Sequence, residues 1–161
     1  MIRKILYTRD NKVSLVIPAQ KCDLERILGP LTQEQYEKHI WDCSIPSDAL
    51  NARYIEESDI PTTREFREAW CDQVMGTQID ICLSKAKELK LAEMRKARDA
   101  LLDVKDKEFM KAFELNDSIS LERIKKEKQV LRDITEPLKA LVCEGYNDAK
   151  ILQQIKDLSN V

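Results

Sequence analysis

The chain reads as an α+β protein: a small N-terminal antiparallel β-sheet with a helix, followed by a predominantly α-helical region built around a long antiparallel helical hairpin. Three observations predict this. Apolar and β-branched residues gather on either side of Arg9-Asp10-Asn11, the pattern of two strands joined by a tight turn. From Gln78 to about Phe113 there is neither Gly nor Pro, and Ala, Leu, Lys, Glu and Arg dominate, as in a long helix. Over all 161 residues, 35% are charged, only 6% are aromatic and three are glycine, a balance that favours solvated helices over a large sheet.

The elements follow in order. Ile2 to Thr8 and Lys12 to Pro18 are the strands of an opening hairpin, and Asp10 and Asn11 both tolerate the left-handed backbone its turn demands. Asp23 to Leu28 is a short segment broken by Gly29-Pro30. Thr32 and Gln35 have capping-box spacing for a helix running to about Cys43, with Tyr36, Ile40 and Cys43 as its buried stripe. Ile45-Pro46-Ser47-Asp48 ends that helix, and Ala52 to Glu56 reads as a third strand. A hairpin alone is marginal in water, so the third strand and the helix are needed to cover its apolar face.

Ser58-Asp59-Ile60-Pro61 is a turn. Thr62 or Thr63 then caps a short helix placing Phe66 and Trp70 on one face, flanked by Arg64 and Arg67. Two readings of that aromatic-arginine group stand side by side. It is a docking or ligand-binding patch, or its two aromatics pin the following segment onto the N-terminal unit.

In the long helix, Met94, Ala97, Leu101 and Val104 form an apolar seam for a partner helix. Lys87 and Lys90 interrupt that seam upstream, so a long regular coiled coil is not predicted, and Leu83, Ala86, Leu89 and Leu91 face a different surface. Asn116-Asp117-Ser118 provides turn and cap chemistry before a second helix carrying Leu121, Ile124, Leu131 and Ile134. The two helices pair antiparallel, leaving apolar edges for further helices, another subunit or a target. Pro137 interrupts the run, and an amphipathic segment with Ile151, Leu152, Ile155 and Leu158 follows Gly145. It folds back or grips a partner helix. The organisation is thus 1–60, a small α+β domain; 61–77, a connecting segment with a short helix; and 78–161, the helical hairpin with a C-terminal helix.

Several chemistries are excluded at this level. The single His39 and the absence of a serine in a glycine-rich elbow argue against serine hydrolysis. Three glycines cannot build a phosphate-cradling loop. The five cysteines lack paired metal or redox spacing and read as reduced thiols. His39 and Cys43 share a helix face, but two ligands do not make a metal site. No catalytic residue, cofactor or metal is therefore expected. The net charge of −2 gives no global attraction for nucleic acid or anionic membranes. The basic residues Arg95, Lys96 and Arg98, with Arg123, Lys125, Lys126 and Lys128, are accompanied by Glu93, Asp99, Glu122 and Glu127, which points to ion pairing along solvated helices. No signal peptide is read in Met1 to Lys12, and no segment approaches the roughly 20 apolar residues of a membrane span.

Three stretches carry a resemblance: Val13-Ser14-Leu15-Val16-Ile17-Pro18-Ala19, then Tyr54-Ile55-Glu56-Glu57-Ser58-Asp59-Ile60-Pro61, then Arg64-Glu65-Phe66-Arg67-Glu68-Ala69-Trp70. Their order, followed by Ile79-Asp80, Lys85-Ala86, Met94 to Arg98, Phe109-Met110 and Lys128 to Ile134, resembles a widespread family of small proteins from tailed bacteriophages and prophages. The last portion also looks like the C-terminal region of phage tail and tail-fibre assembly chaperones. Those proteins show an aromatic-Arg-Gln stretch where this chain has Glu127-Lys128-Gln129, and a proline sooner than Pro137.

The resemblance implies a non-enzymatic tail assembly factor that binds a tail or tail-fibre protein through its helical region, in the bacterial host cytoplasm during phage assembly. The alternative is a structural virion protein of the tail or baseplate, with symmetric self-association. A third reading is an enzyme or host-factor modulator with Trp70 and Arg67 lining a ligand pocket. The candidate interaction residues are Arg64, Phe66, Arg67, Trp70, Met94, Leu101 and Leu131.

Overall fold

The computed structural model describes residues 3–73 and 78–159. Ile2, expected in the first strand, and residues 74–77 of the expected connecting segment lie outside them. The protein is α+β, with small antiparallel sheets near the N-terminus and a mostly helical remainder. It divides into two units, residues 1–81 and 82–161.

In the first unit, strand β1 (Lys4–Arg9) pairs antiparallel with β2 (Lys12–Val16), Arg9 lying opposite Lys12. Asp10 and Asn11 both adopt positive φ, 51° and 59°, the type I′ geometry whose twist matches that of the strands. Helix α1 (Lys21–Leu28) makes two turns where the sequence suggested only a short segment, and Gly29 closes it at φ 85°. Helix α2 (Gln33–Ser44) opens with the expected capping box: Gln35 N–H donates to Thr32 Oγ1 (3.2 Å) and Thr32 N–H to Gln35 Oε1 (2.8 Å). Strand β3 (Leu50–Ile55) pairs with the other side of β1, so the sheet order is β2-β1-β3.

Alternation along β1 sends its side chains to two faces. Ile5, with Val16 and Tyr54 opposite it in register, belongs to the face covered by α1 and α2. There Ile5, Tyr36 and Ile40 are packed with Val16, Leu24, Trp41 and Ile45. Cys43 is exposed, which corrects the expected stripe. Trp41 meets Tyr54 in a tilted ring contact (centroids 5.6 Å apart, planes inclined by 49°), and the packed face of α2 turns toward residues 41 and 45.

Leu6, fully buried, points the other way with Leu15 and Arg53 beside it. This second face receives the irregular segment after β3, which holds 3₁₀ turns at Glu57–Asp59 and Arg67–Ala69 and the antiparallel pair β4 (Trp70–Cys71) and β5 (Asp80–Ile81). The short helix expected after Thr62 or Thr63 is not formed. A 3₁₀ turn stacks residues three apart on one side, so Phe66 and Ala69 turn inward together. The chain then extends, and Trp70 is buried as well. A regular α-helix would have placed these three on one stripe but forfeited the pairing of Trp70 with Ile81.

In the second unit, α3 (Leu83–Glu114) starts five residues later than expected, because Asp80 and Ile81 are held in β5. It packs on α4 (Ser118–Asp133) and, through another part of its surface, on α6 (Ala149–Ser159); the short α5 (Glu136–Ala140) carries Pro137 in its first turn. The turn between α3 and α4 uses Asn116 at φ 52°, and Asp117 N–H donates back to Ala112 C=O (2.9 Å), a Schellman-type stop. Asp117 then caps α4 by accepting from Ser120 N–H (3.1 Å). Lys87, read as an interruption of the seam, donates to the carbonyls of Lys139 and Leu141 (2.7 Å each). A cation there complements the helix C-terminus of α5. The C-terminal segment folds back, with Ile155 fully buried and Ile151, Leu152 and Leu158 half-buried.

The α3 seam is corrected in register. Met94 is buried, but Ala97, Leu101 and Val104 are exposed. After Met94 the covered face steps by four to Arg98 and continues through Leu102, Lys105, Phe109 and Ala112. Long cationic side chains lie along this face, where their stems cover apolar surface while their charged ends reach partners. Lys105 Nζ sits 2.8 Å from both Glu108 and Glu127, and Lys128 pairs with Asp106 and lies 5.4 Å from the centre of the Phe109 ring. Of the expected stripe on α4, Ile124 is buried and Leu121, Leu131 and Ile134 are half-buried.

Candidate interaction site

At the α3–α4 turn, Met110, Phe113, Leu115 and Ile119 are each more than half exposed. Local geometry explains why. Ala112 takes the inward position on the last turn of α3, so Met110 and Phe113 fall on other sides of that helix, and Ile119 lies in the first turn of α4 just past the Asn116 reversal. Farther back along α3, Ala97, Leu101 and Val104 form an exposed stripe at three- and four-residue steps. A protein surface carries scattered apolar residues routinely, but four large ones within ten residues gather at one turn of the hairpin, which suits a partner.

The turn itself is held by charge. The Ser120 hydrogen bonds keep the Asp117 carboxyl below its ordinary pKa, and the bond from Lys105 does the same for Glu127. Asp117 acts within the turn as the cap of α4, while Glu127 pairs with Lys105 farther along the hairpin.

The candidates chosen from sequence are distributed as follows. Leu101 is exposed, Leu131 is half-buried in the hairpin seam, and Met94 is buried. Phe66 and Trp70 are core residues, 1% and 3% exposed. Arg64 and Arg67 are exposed and line one recess together with Trp70. Phe113, Leu115 and Ile119 were not selected from sequence. The available signal was the run of large apolar residues flanking Asn116-Asp117-Ser118, at a turn that leaves them nothing to pack on.

The first unit has a larger cleft of about 370 Å³ between α2 and the sheet, lined by Arg3, Lys21, Tyr36, Glu37 and Tyr54 among others. Desolvation raises the pKa of both tyrosines above the ordinary value. Its two cations are already engaged, Arg3 with Glu56 (3.2 Å) and Lys21 with Glu25 (3.7 Å). Tyr36 Oη donates to Ala19 C=O (2.6 Å).

Among the described residues, no group of three or more His, Cys, Asp or Glu is placed to hold a metal ion. Cys43 Sγ approaches the His39 ring nitrogens at 3.8 Å, which makes a pair only. No described helix is long and apolar enough to cross a membrane. No protein-family model, curated protein or solved structure matches the chain.

Proposed function

We propose that this protein is a non-enzymatic assembly factor of tailed bacteriophages or prophages that holds a tail or tail-fibre polypeptide on its helical hairpin, in the host cytoplasm, until assembly. The motif order from Val13 to Ile134 supports the phage context by resemblance. The observation that carries the binding role is the exposed apolar patch at the α3–α4 turn. Complete burial of one such side chain stabilises by about 1.5–3 kcal/mol. Covering four that are already partly buried therefore yields several kcal/mol, before the costs of association are subtracted. That magnitude suits a complex that releases its client better than a permanent joint.

Quantitative mass spectrometry of purified particles and of the induced lysate tests the proposal, combined with capture on the tagged chain. The expected result is a chain present in lysate, absent from mature particles, and bound to a tail or tail-fibre polypeptide. The variant Met110→Ser/Phe113→Ser/Ile119→Ser should lose that polypeptide while keeping its helical content. A fixed copy number per particle would replace this reading with a structural protein of the tail or baseplate. Failure to capture any tail polypeptide would overturn it.

A further inference from the structure

A small recess in the first unit combines apolar walls with uncommitted positive charge. Lys4 of β1, Leu15 of β2, Ile17 just beyond it, and Ile60, Arg64, Arg67 and Trp70 of the following segment line about 90 Å³. The fold brings them together because Lys4 and Leu15 share the sheet face that the 3₁₀ segment covers.

The charges are unequal in their commitments. Lys4 is paired with Glu57. The Arg64 and Arg67 guanidinium groups have no hydrogen-bond or ion-pair partner among the described residues, in contrast to the engaged cations of the larger cleft. Trp70 is 3% exposed, yet its indole Nε1–H has no acceptor among the described residues.

We propose that this recess binds the C-terminus of a partner polypeptide ending in an aliphatic residue. The volume admits one side chain, which Leu15, Ile17, Ile60 and Trp70 would enclose. Two guanidinium groups suit a carboxylate through charge-assisted, forked hydrogen bonds. In a chain terminus the carboxylate and the last side chain spring from the same Cα, so this ligand meets both demands within a space this small. Terminal-carboxylate capture is an established mode of peptide recognition. A free phosphate meets the charge and leaves the apolar walls uncovered. This inference does not depend on what the helical hairpin binds.

The test is a titration of the full chain with acetyl-Gly-Gly-Leu bearing a free carboxylate, followed through the Trp70 indole N–H resonance. The expected result is a saturable shift of that resonance. The C-terminal amide of the same peptide should bind at least tenfold more weakly, as should the carboxylate peptide to Arg64→Ala/Arg67→Ala. Both arginines are exposed, so that variant should retain the unperturbed Trp41 resonance of the folded unit. Equal binding of acid and amide, an unaltered affinity in the folded double variant, or inorganic phosphate competing as well as the peptide acid would each overturn the proposal.

Discussion

Arg53 and Asp72 form a two-point ion pair across the sheet face that carries Leu6: Nη1 lies 2.7 Å from Oδ2 and Nη2 2.6 Å from Oδ1. The Asp72 carboxylate is fully buried, whereas the Arg53 side chain remains 28% exposed. The hydrogen bond to Asp72 raises the arginine pKa, outweighing the desolvation that would lower it. The pair ties the segment carrying Phe66 and Trp70 to strand β3 through a planar fork that lysine cannot reproduce.

Removing one partner should therefore be costly. Arg53→Ala is expected to destabilise the first unit by about 3–5 kcal/mol, because it strands a buried carboxylate, while the double change Arg53→Met/Asp72→Leu should recover much of that loss. Both tryptophans lie in this unit, so urea unfolding followed by tryptophan fluorescence reads it selectively. A double variant no more stable than Arg53→Ala would refute the argument.

The capping box predicts a smaller effect. Thr32→Ala should cost about 1 kcal/mol and Thr32→Ser nearly nothing, since serine keeps the oxygen that accepts from Gln35 N–H. The same fluorescence transition measures both, Trp41 being on the capped helix.

The corrected seam separates two apolar residues on facing helices. Ile124→Ala should destabilise the second unit by about 2–5 kcal/mol, as expected when a buried side chain is truncated. Leu101→Ser, on the exposed stripe, should change stability by less than about 0.5 kcal/mol. Denaturation followed by helical circular dichroism decides, and comparable losses at both sites would restore the register expected from sequence.

Acid should loosen the hairpin. The folded-state pKa values of Asp117, Glu122 and Glu127 are lowered, first by hydrogen bonds from Ser120, Lys125 and Lys105 respectively. A lowered carboxylate contributes stability that is present above its unfolded value and lost as pH falls through the folded one. The Lys105 pKa is raised, first by its bond to Glu108, so its contribution holds below the ordinary lysine value and disappears only as pH rises through the raised one. The helical melting temperature should stay flat from neutral pH down to the ordinary carboxylate range and fall below it. Lys105→Gln should shrink that fall, and a melting temperature that rises on acidification would contradict the assignment.

Much of the architecture was legible in residue order because it depends on neighbours. The left-handed Asp10-Asn11 turn, the Thr32–Gln35 box and the Asn116–Asp117 reversal each need only a few adjacent residues. The candidate site was legible in pieces: Arg64, Arg67 and Trp70 were singled out together, but the patch of Met110, Phe113, Leu115 and Ile119 was not.

By itself, then, the sequence determined the α+β class, most of the element order and the caps of α2 and α4, because backbone preferences and local hydrogen bonds act over one or two turns. Tertiary structure decided the rest. It withdrew residues 66–70 from a helix so that Phe66, Ala69 and Trp70 could all be buried, and it chose Arg98 over Ala97 for the α3 seam. It also brought Arg53 to Asp72 across 19 residues of chain. Each outcome depends on which distant surface is there to be covered, and burial and pairing with that surface outweigh local propensity, which differs between alternatives by only fractions of a kcal/mol per residue.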